Sequence, residues 1–318
     1  MSYPGVHHAG PVVSEQGFSV GTKASNVNVI NAFGEFIYPN PHGGEDYYVD
    51  GNVSASGDGL SWSTAFATLA EAITASNVSI ALTANRWWAR RNRIFVCGDQ
   101  EIDENLTVLP EKCDVIGTGT DLLPFPRIIG NHTIAAATVG VRFINCGFIA
   151  EGTGDLFVIP ASCHGLQFLG CWFQPKTTSS KALEITSSAH LRIENCTFTV
   201  GAGDMDKIFG IAISLEGTVL HDVQILNNKI TATAGIKVDS ASAVAMGGLI
   251  QGNTIRATAL AIDDNSDDFQ VVNNRWMTDI DTTTSTAGYD FNIQLACGNI
   301  QMGATGLCDS VPFMKIAE

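Results

Sequence analysis

The feature that most constrains this chain is an interval. NCGF at 145–148, GCWF at 170–173 and ENCTF at 194–198 set Cys146, Cys171 and Cys196 at equal steps of 25 residues. Aligning on the residue that closes each motif extends the series to Phe148, Phe173, Phe198, Ile230, Ile255, Trp276 and Ile300, at steps of 25, 25, 32, 25, 21 and 24. Before each of the first six lies an apolar–x–apolar stretch: VRFI, LQFL, LRIE, VQIL, GLIQ and FQVV. A second series, LFVI, ALEI, GIAI, GIKV and LAID, falls between them. Its expected inward pairs are Phe157/Ile159, Leu183/Ile185, Ile211/Ile213, Ile236/Val238 and Leu260/Ile262. Each repeat therefore holds short period-2 strands joined by Gly, Asn, Ser and Thr turns.

A unit this short cannot bury its apolar face alone, but a stack of such units can, so the pattern predicts a solenoid. The strands are too short for the hairpins of a sandwich, and the leucine/asparagine consensus of a leucine-rich repeat is absent. An all-β parallel β-helix fits, with coils about 4.8 Å apart and like residues stacked on like. Cys146, Cys171 and Cys196 then form one column, continued by Asn228, Asn253 and Asn274. Asparagines so stacked pass amide hydrogen bonds from coil to coil, and cysteine serves there as a small buried hydrophobe. The column is expected to be a structural ladder, with no catalytic or metal-binding part.

Composition narrows the function. The chain has 318 residues, 45% of them hydrophobic, and a formal charge of −15. That acidity opposes binding to nucleic acid or to anionic membranes, which require a basic footprint. No run approaches 18 apolar residues, so no membrane span is expected. The opening MSYPGVHHAGPVV has neither the charged nor the apolar region of a secretion signal, and the eight cysteines read as reduced thiols. There is no CxxC and no histidine pairing with cysteine, so neither a metal nor a cofactor is expected.

YYVDGNVSASGDGLSWSTAFATLAEAI at 47–73, RIFVCGD at 93–99 and CDVIGTG at 113–119 resemble the opening of right-handed parallel β-helix proteins. These form the pectate-lyase-like superfamily, which includes polysaccharide lyases, glycosidases and phage tailspike and virion proteins. The resemblance spans roughly residues 46–300 and implies a right-handed coil closed at its N-terminal end by a short helix. TAFATLAEAITA at 64–75 supplies that helix, with Phe66, Leu69, Ala70 and Ile73 on one face. Residues 1–45 lack the repeat and read as an arm that folds on a partner or sister subunit. Residues 301–318 read as a C-terminal extension.

Enzymes on such a scaffold place carboxylates on an outward sheet face from neighbouring coils. Stacking by the repeat gives outward columns Arg142, Gln167, Arg192, Gln224, Leu249, Gln270 and Ile144, Leu169, Glu194, Leu226, Gln251, Val272. A third column runs Val158, Glu184, Ala212, Lys237, Ala261. Glu184 and Glu194 have no carboxylate neighbour in these columns, so no catalytic pair is expected. The acidic turn Asp263, Asp264, Asp267, Asp268 could offer hard oxygens to calcium or be a solvated turn, and Asp204 and Asp206 lie in the longest interval. His164 and His190 are expected to stack as turn residues.

Two segments stand out for contact with partners. The arm carries Phe18, Phe33, Phe36 and Tyr38, and the basic patch NRWWARRNR carries Arg86, Trp87, Trp88, Arg90 and Arg91. The patch reads equally as tryptophans packed under the helix with arginines paired to the chain's own carboxylates. Together with the resemblance, these features lead to the expectation of a non-enzymatic, homotrimeric virion protein, assembled in a host cytoplasm. It would be a capsid-decorating protein or short spike, attached through its arm to capsid or tail proteins. The alternatives are a tailspike-like polysaccharide depolymerase, with Asp204, Asp206 and the 263–268 turn as its acids, and a non-catalytic glycan-binding adhesin.

Overall fold

A computed structural model describes residues 43–81, 90–98, 101–119, 126–186, 188–200, 207–217, 220–239, 246–264 and 269–278, with strands at 18–20, 27–30, 290–291, 295–297, 300–302 and 308–310. The fold is an all-β parallel solenoid with one helix, a parallel β-helix. The coils build three faces. The first is a ten-stranded sheet running from Asp46–Val49 through strands such as Arg142–Ile144, Gln167–Leu169 and Arg192–Glu194 to Leu295–Cys297. The second and third faces form one sixteen-stranded sheet, because the long strand Lys229–Asp239 runs through both. The second face includes Gly147–Ala150, Trp172–Pro175 and Thr254–Ala257, and the third includes Phe157–Ile159, Ser179–Thr186 and Phe209–Glu216.

Like residues stack inside. Phe143 lies on Phe168 with ring centroids 5.3 Å apart and planes 12° from parallel, and Phe173 lies on Phe198 at 4.6 Å and 12°. All four are buried. Each such ring stabilises the stack by roughly 1.5–3 kcal/mol of burial. The motif-closing series pairs in register from Phe148 through Phe173, Phe198, Ile230 and Ile255 to Trp276. It then departs by one residue, since Trp276 pairs with Gln301 and Ile300 pairs with Arg275. On the third face the inward column is Phe157, Leu183, Ile213, Ile236 and Ile262, so Ile211 and Leu260 sit two residues out of the expected register and are only half-buried.

The corner between the first and second faces is where the backbone must turn without losing hydrogen bonds. Asn145, Gly170, Asn195, Asn227, Gly252 and Asn273 occupy it with φ between 53° and 69°. Only Gly and Asn enter that left-handed region at little cost, which explains why the position holds those two residues alone. The next residue in each coil forms the ladder. Asn228 Nδ2 and backbone N–H both donate to Asn253 Oδ1 at 2.9 Å, and Asn253 makes the same pair to Asn274 Oδ1. Each amide also donates across the coil to a strand carbonyl, Asn228 to Ile193 and Asn253 to Ile225, at 2.9 Å. Cys171 Sγ and Cys196 Sγ take that second donor role, to the Phe143 and Phe168 carbonyls at 3.3 Å. The thiol thus stands where the amide does and meets the equivalent carbonyl. Burial pushes the Cys146 and Cys196 thiols well up, and Cys113 up to about 12, so they stay protonated donors.

The helix spans Leu69–Ala81, five residues later at its start than the expected 64–75. Thr68 and Glu71 set its beginning: Glu71 N–H donates to Thr68 Oγ1, and Thr68 N–H donates back to the Glu71 carboxylate. Leu69 and Ile73 are buried as expected, but Ala70 is exposed; Ala72 and Ile80 complete the inner face. The Glu104 carboxylate accepts from the first two helical amides, Leu69 and Ala70, at 2.9 and 3.0 Å. Asn92 Nδ2 donates to the Ser76 carbonyl, and Asn77 bridges Leu109 and Glu111, tying the helix to the first coils. Of the expected arm, Phe18–Val20 pairs antiparallel with Val27–Ile30, and in the C-terminal segment Cys308–Ser310 pairs antiparallel with Ile300–Met302.

His132 occupies the inward column next to Phe157, fully buried against Phe148 and Phe157. Its Nδ1 accepts the Leu106 N–H at 3.1 Å, while Nε2 has no hydrogen-bond partner among the described residues. Burial pulls its pKa down to about 3.

Two stability experiments follow from this packing. Asn253→Ala should cost about 3 kcal/mol in urea unfolding, because it strands the Asn228 donors and the Ile225 carbonyl inside the corner. A cost under 1 kcal/mol would mean the ladder carries little. For His132 the folded pKa lies below the unfolded one, so the unfolded chain gains the proton first. Its stability contribution is complete above about pH 6.5 and is lost as pH falls toward 3, by about 4 kcal/mol. His132→Leu should flatten unfolding midpoints across that window.

Candidate functional site

The third face carries the densest charged group on neighbouring coils. In Ser179–Thr186, Ala182 and Leu183 are both fully buried, so the strand bends there and turns Lys181 and Glu184 outward together. The next strand, Phe209–Glu216, pairs Ser214 with Glu184 and Glu216 with Thr186. Lys181 Nζ donates to Glu184 Oε2 and to Glu216 Oε1, each at 2.5 Å, and buried Ser214 donates its hydroxyl to Glu216 at 3.0 Å. Burial pulls the Lys181 ammonium down, but the hydrogen bonds to Glu184 and Glu216 outweigh it and hold its pKa above the ordinary lysine value. The register sets Asp239 beside Glu216 on the following coil, and Lys237 between Ser214 and Asp263.

This corrects the expected column. Glu184 stacks on Ser214, not Ala212, and Lys237 pairs with Asp263, not Ala261. Glu184 therefore has a carboxylate close by, one coil on, in Glu216. Asp263 and Asp264 belong to the strand Ile262–Asp264 and not to a turn. Asp204, Asp206, Asp267 and Asp268 lie outside the described residues.

On the first face the expected outward columns pair as drawn, Arg142 with Gln167, Arg192 and Gln224, and Ile144 with Leu169, Glu194 and Leu226. N-terminal to them the first column continues as Asp114, Arg93 and Asp46, alternating in sign. Arg93 clamps Asp46 with Nε at 2.7 Å and Nη2 at 2.6 Å, and Arg142 clamps Asp114 at 2.6 and 2.5 Å. Burial works against the Asp114 carboxylate, but Arg142 and Arg91 together hold its pKa below the usual range. Arg192 pairs with Glu194 at 2.6 Å.

Of the residues expected to meet partners, Arg91 pairs with Asp114, and Arg90 binds Glu45 at 2.6 Å and Ser79 at 2.8 Å. The geometry thus gives both arginines internal carboxylate partners. Arg86, Trp87, Trp88, Phe33, Phe36 and Tyr38 lie outside the described residues, and Phe18 is placed only by its strand pairing with Ile30. His164 stacks on Ala189 and accepts its N–H at Nδ1, at 3.1 Å; His190 instead meets Asp222 at 3.1 Å. The offset is 25 residues, so the expected His164–His190 stack does not form. Among the described residues no three His, Cys, Asp or Glu side chains gather as a metal site would require, and no helix is long and apolar enough to cross a membrane.

No protein-family model, no curated protein and no solved structure matches this chain.

Replacing Lys181 with Met should leave Glu184 and Glu216 without the ammonium they share. The variant is expected to lose about 1 kcal/mol at pH 7. Part of that should return as pH falls through the carboxylate range, because protonation relieves the repulsion. A pH-independent loss would show that the three groups do not act as a charge cluster.

Proposed function

We propose that this chain is a non-enzymatic structural solenoid of a virus particle, a trimeric capsid-decorating protein or short spike of phage type. The observation that carries the non-enzymatic part is the fate of the outward carboxylates. Glycoside cleavage needs one carboxyl kept protonated beside one left ionised, with room for substrate between them. Here Glu184 and Glu216 share one lysine ammonium, and Asp46, Asp114 and Glu194 are clamped by arginines. Each of these carboxylates is already engaged by a cation of the chain itself, and a substrate would have to displace that cation to reach it. The pairing also gives outward faces on which opposite charges are interleaved, suited to lying against other protein surfaces. The virion assignment rests on the sequence resemblance and on the arm that precedes the coils.

A second reading, a polysaccharide-degrading enzyme, draws support from Glu184 and Glu216 standing on adjacent coils of one outward face. It would require substrate to displace Lys181 from one of them.

Light scattering after size exclusion, on the full chain and on residues 46–318, addresses the first reading. A trimer is expected, with particle attachment lost when the first 45 residues are removed; a monomer in both cases would overturn it. Reducing-sugar release from capsular polysaccharide that stops on Glu184→Gln or Glu216→Gln would establish the second.

A further inference from the structure

The second face is unlike the rest of this acidic chain. Trp172, Thr197, Lys229, Thr254 and Arg275 pair in register, one from each of five successive coils. The residue after each, Phe173, Phe198, Ile230, Ile255 and Trp276, is buried in the core. By strand alternation the five therefore point outward together. Lys229, Thr254 and Arg275 are exposed, and Trp172 and Thr197 half-buried. Gly147, below Trp172 in the column, has no side chain to compete with the indole.

Charge sets this column apart. The chain carries a net −15, and many of its described cations are taken up in ion pairs, as Arg90, Arg93, Arg142, Lys181 and Arg192 are. Among the described residues Lys229 and Arg275 make no ion pair, and the column holds no Asp or Glu from 172 to 275. Arg256 stands in the neighbouring outward column, between Thr231 and Met277. Two exposed cations without an ion-pair partner among the described residues relieve some of the self-repulsion of a strongly acidic protein and form a local well for anions.

We propose that this column is a docking strip for an anionic polysaccharide. Lys229 and Arg275 are two coils apart, about 10 Å, near the length of two linked sugar rings, so they suit a polymer with an acidic group on every sugar or on alternate sugars. Trp172, two coils to the other side of Lys229, offers a flat apolar face for the C–H side of a ring. The Thr197 and Thr254 hydroxyls between them reach sugar hydroxyls. A nucleic acid strand, with a phosphate about every 3.4 Å, would bring several charges for each cation and meet the chain's acidity. The strip lies on a different face from Lys181, Glu184 and Glu216, and it does not depend on whether the chain belongs to a virus particle.

The test is calorimetric titration of the full chain, at low salt, with polygalacturonate, dextran sulfate, unmodified dextran and a poly(dT) strand. Binding to polygalacturonate or dextran sulfate is expected, the stronger of the two identifying carboxylate or sulfate as the preferred acid, with no binding to dextran. The double variant Lys229→Gln/Arg275→Gln should weaken that binding at least tenfold while its unfolding midpoint stays unchanged. Trp172→Tyr should weaken it less than Trp172→Leu. Unchanged affinity in the double variant, equal binding to dextran, binding to poly(dT) as tight as to the acidic glycans, or no binding to either acidic polymer would overturn the proposal.

Discussion

Everything in this molecule depends on the hydrogen bonds that join one coil to the next. A parallel strand has no hairpin partner and must find its ladder in the coil above and the coil below. Strands do this without help from side chains, but corners do not, since the chain turns there and its amides swing away from the ladder. The Asn and Cys column solves that problem at the corner between the first and second faces. An amide carbonyl accepts two donors from the previous coil while its NH2 reaches a strand carbonyl. The left-handed residue just before it aims the side chain inward. Conformation and hydrogen bonding therefore constrain two adjacent positions jointly, and the pair recurs as Asn-Cys, Gly-Cys, Asn-Cys, Asn-Asn, Gly-Asn and Asn-Asn.

That joint constraint explains what was legible from residues alone. The parallel stack, the first-face columns and the sequence of ladder positions follow from a strict interval and from residue types that serve only a few physical ends. The left-handed column was equally visible as Gly or Asn at 145, 170, 195, 227, 252 and 273, although the residue beside it drew the attention. The helix start was visible too, as a threonine three residues before a glutamate, and was obscured by an apolar periodicity that begins earlier at Phe66. Phe66 does pack on the core, but ahead of the helix.

The third face was read two residues out, and the reason is a property of strands. A slip of one residue exchanges inside and outside and would set Ile213 and Leu215 in solvent, so hydrophobicity forbids it. A slip of two keeps every apolar side chain inward and changes only which outward residues meet. FGIAISLE offers apolar residues at 209, 211, 213 and 215, and the long interval before it removes the spacing that would choose among them. The pairing is settled instead at the bend where Ala182 and Leu183 are both buried, and by Lys181 reaching two carboxylates. Core residues are thus readable from pattern, while the residues that could do chemistry are readable only once register is known.

The same separation shapes the outer surface. Stacking like on like is favourable for phenyl rings and amides but unfavourable for charges, which repel at a coil spacing of about 4.8 Å. An acidic solenoid must therefore interleave its charges, as Asp46, Arg93, Asp114 and Arg142 do along one column and Lys181 does between two glutamates. A column in which Lys229 and Arg275 are spaced by Thr254 obeys the same rule by dilution: a neutral hydroxyl separates like charges that have no counter-ion among the described residues. Dilution relieves repulsion but leaves each cation without an ion-pair partner among the described residues, and such a cation at the surface is available to whatever anion the solvent presents. Interleaving produces a surface at rest, whereas dilution produces one that can still bind.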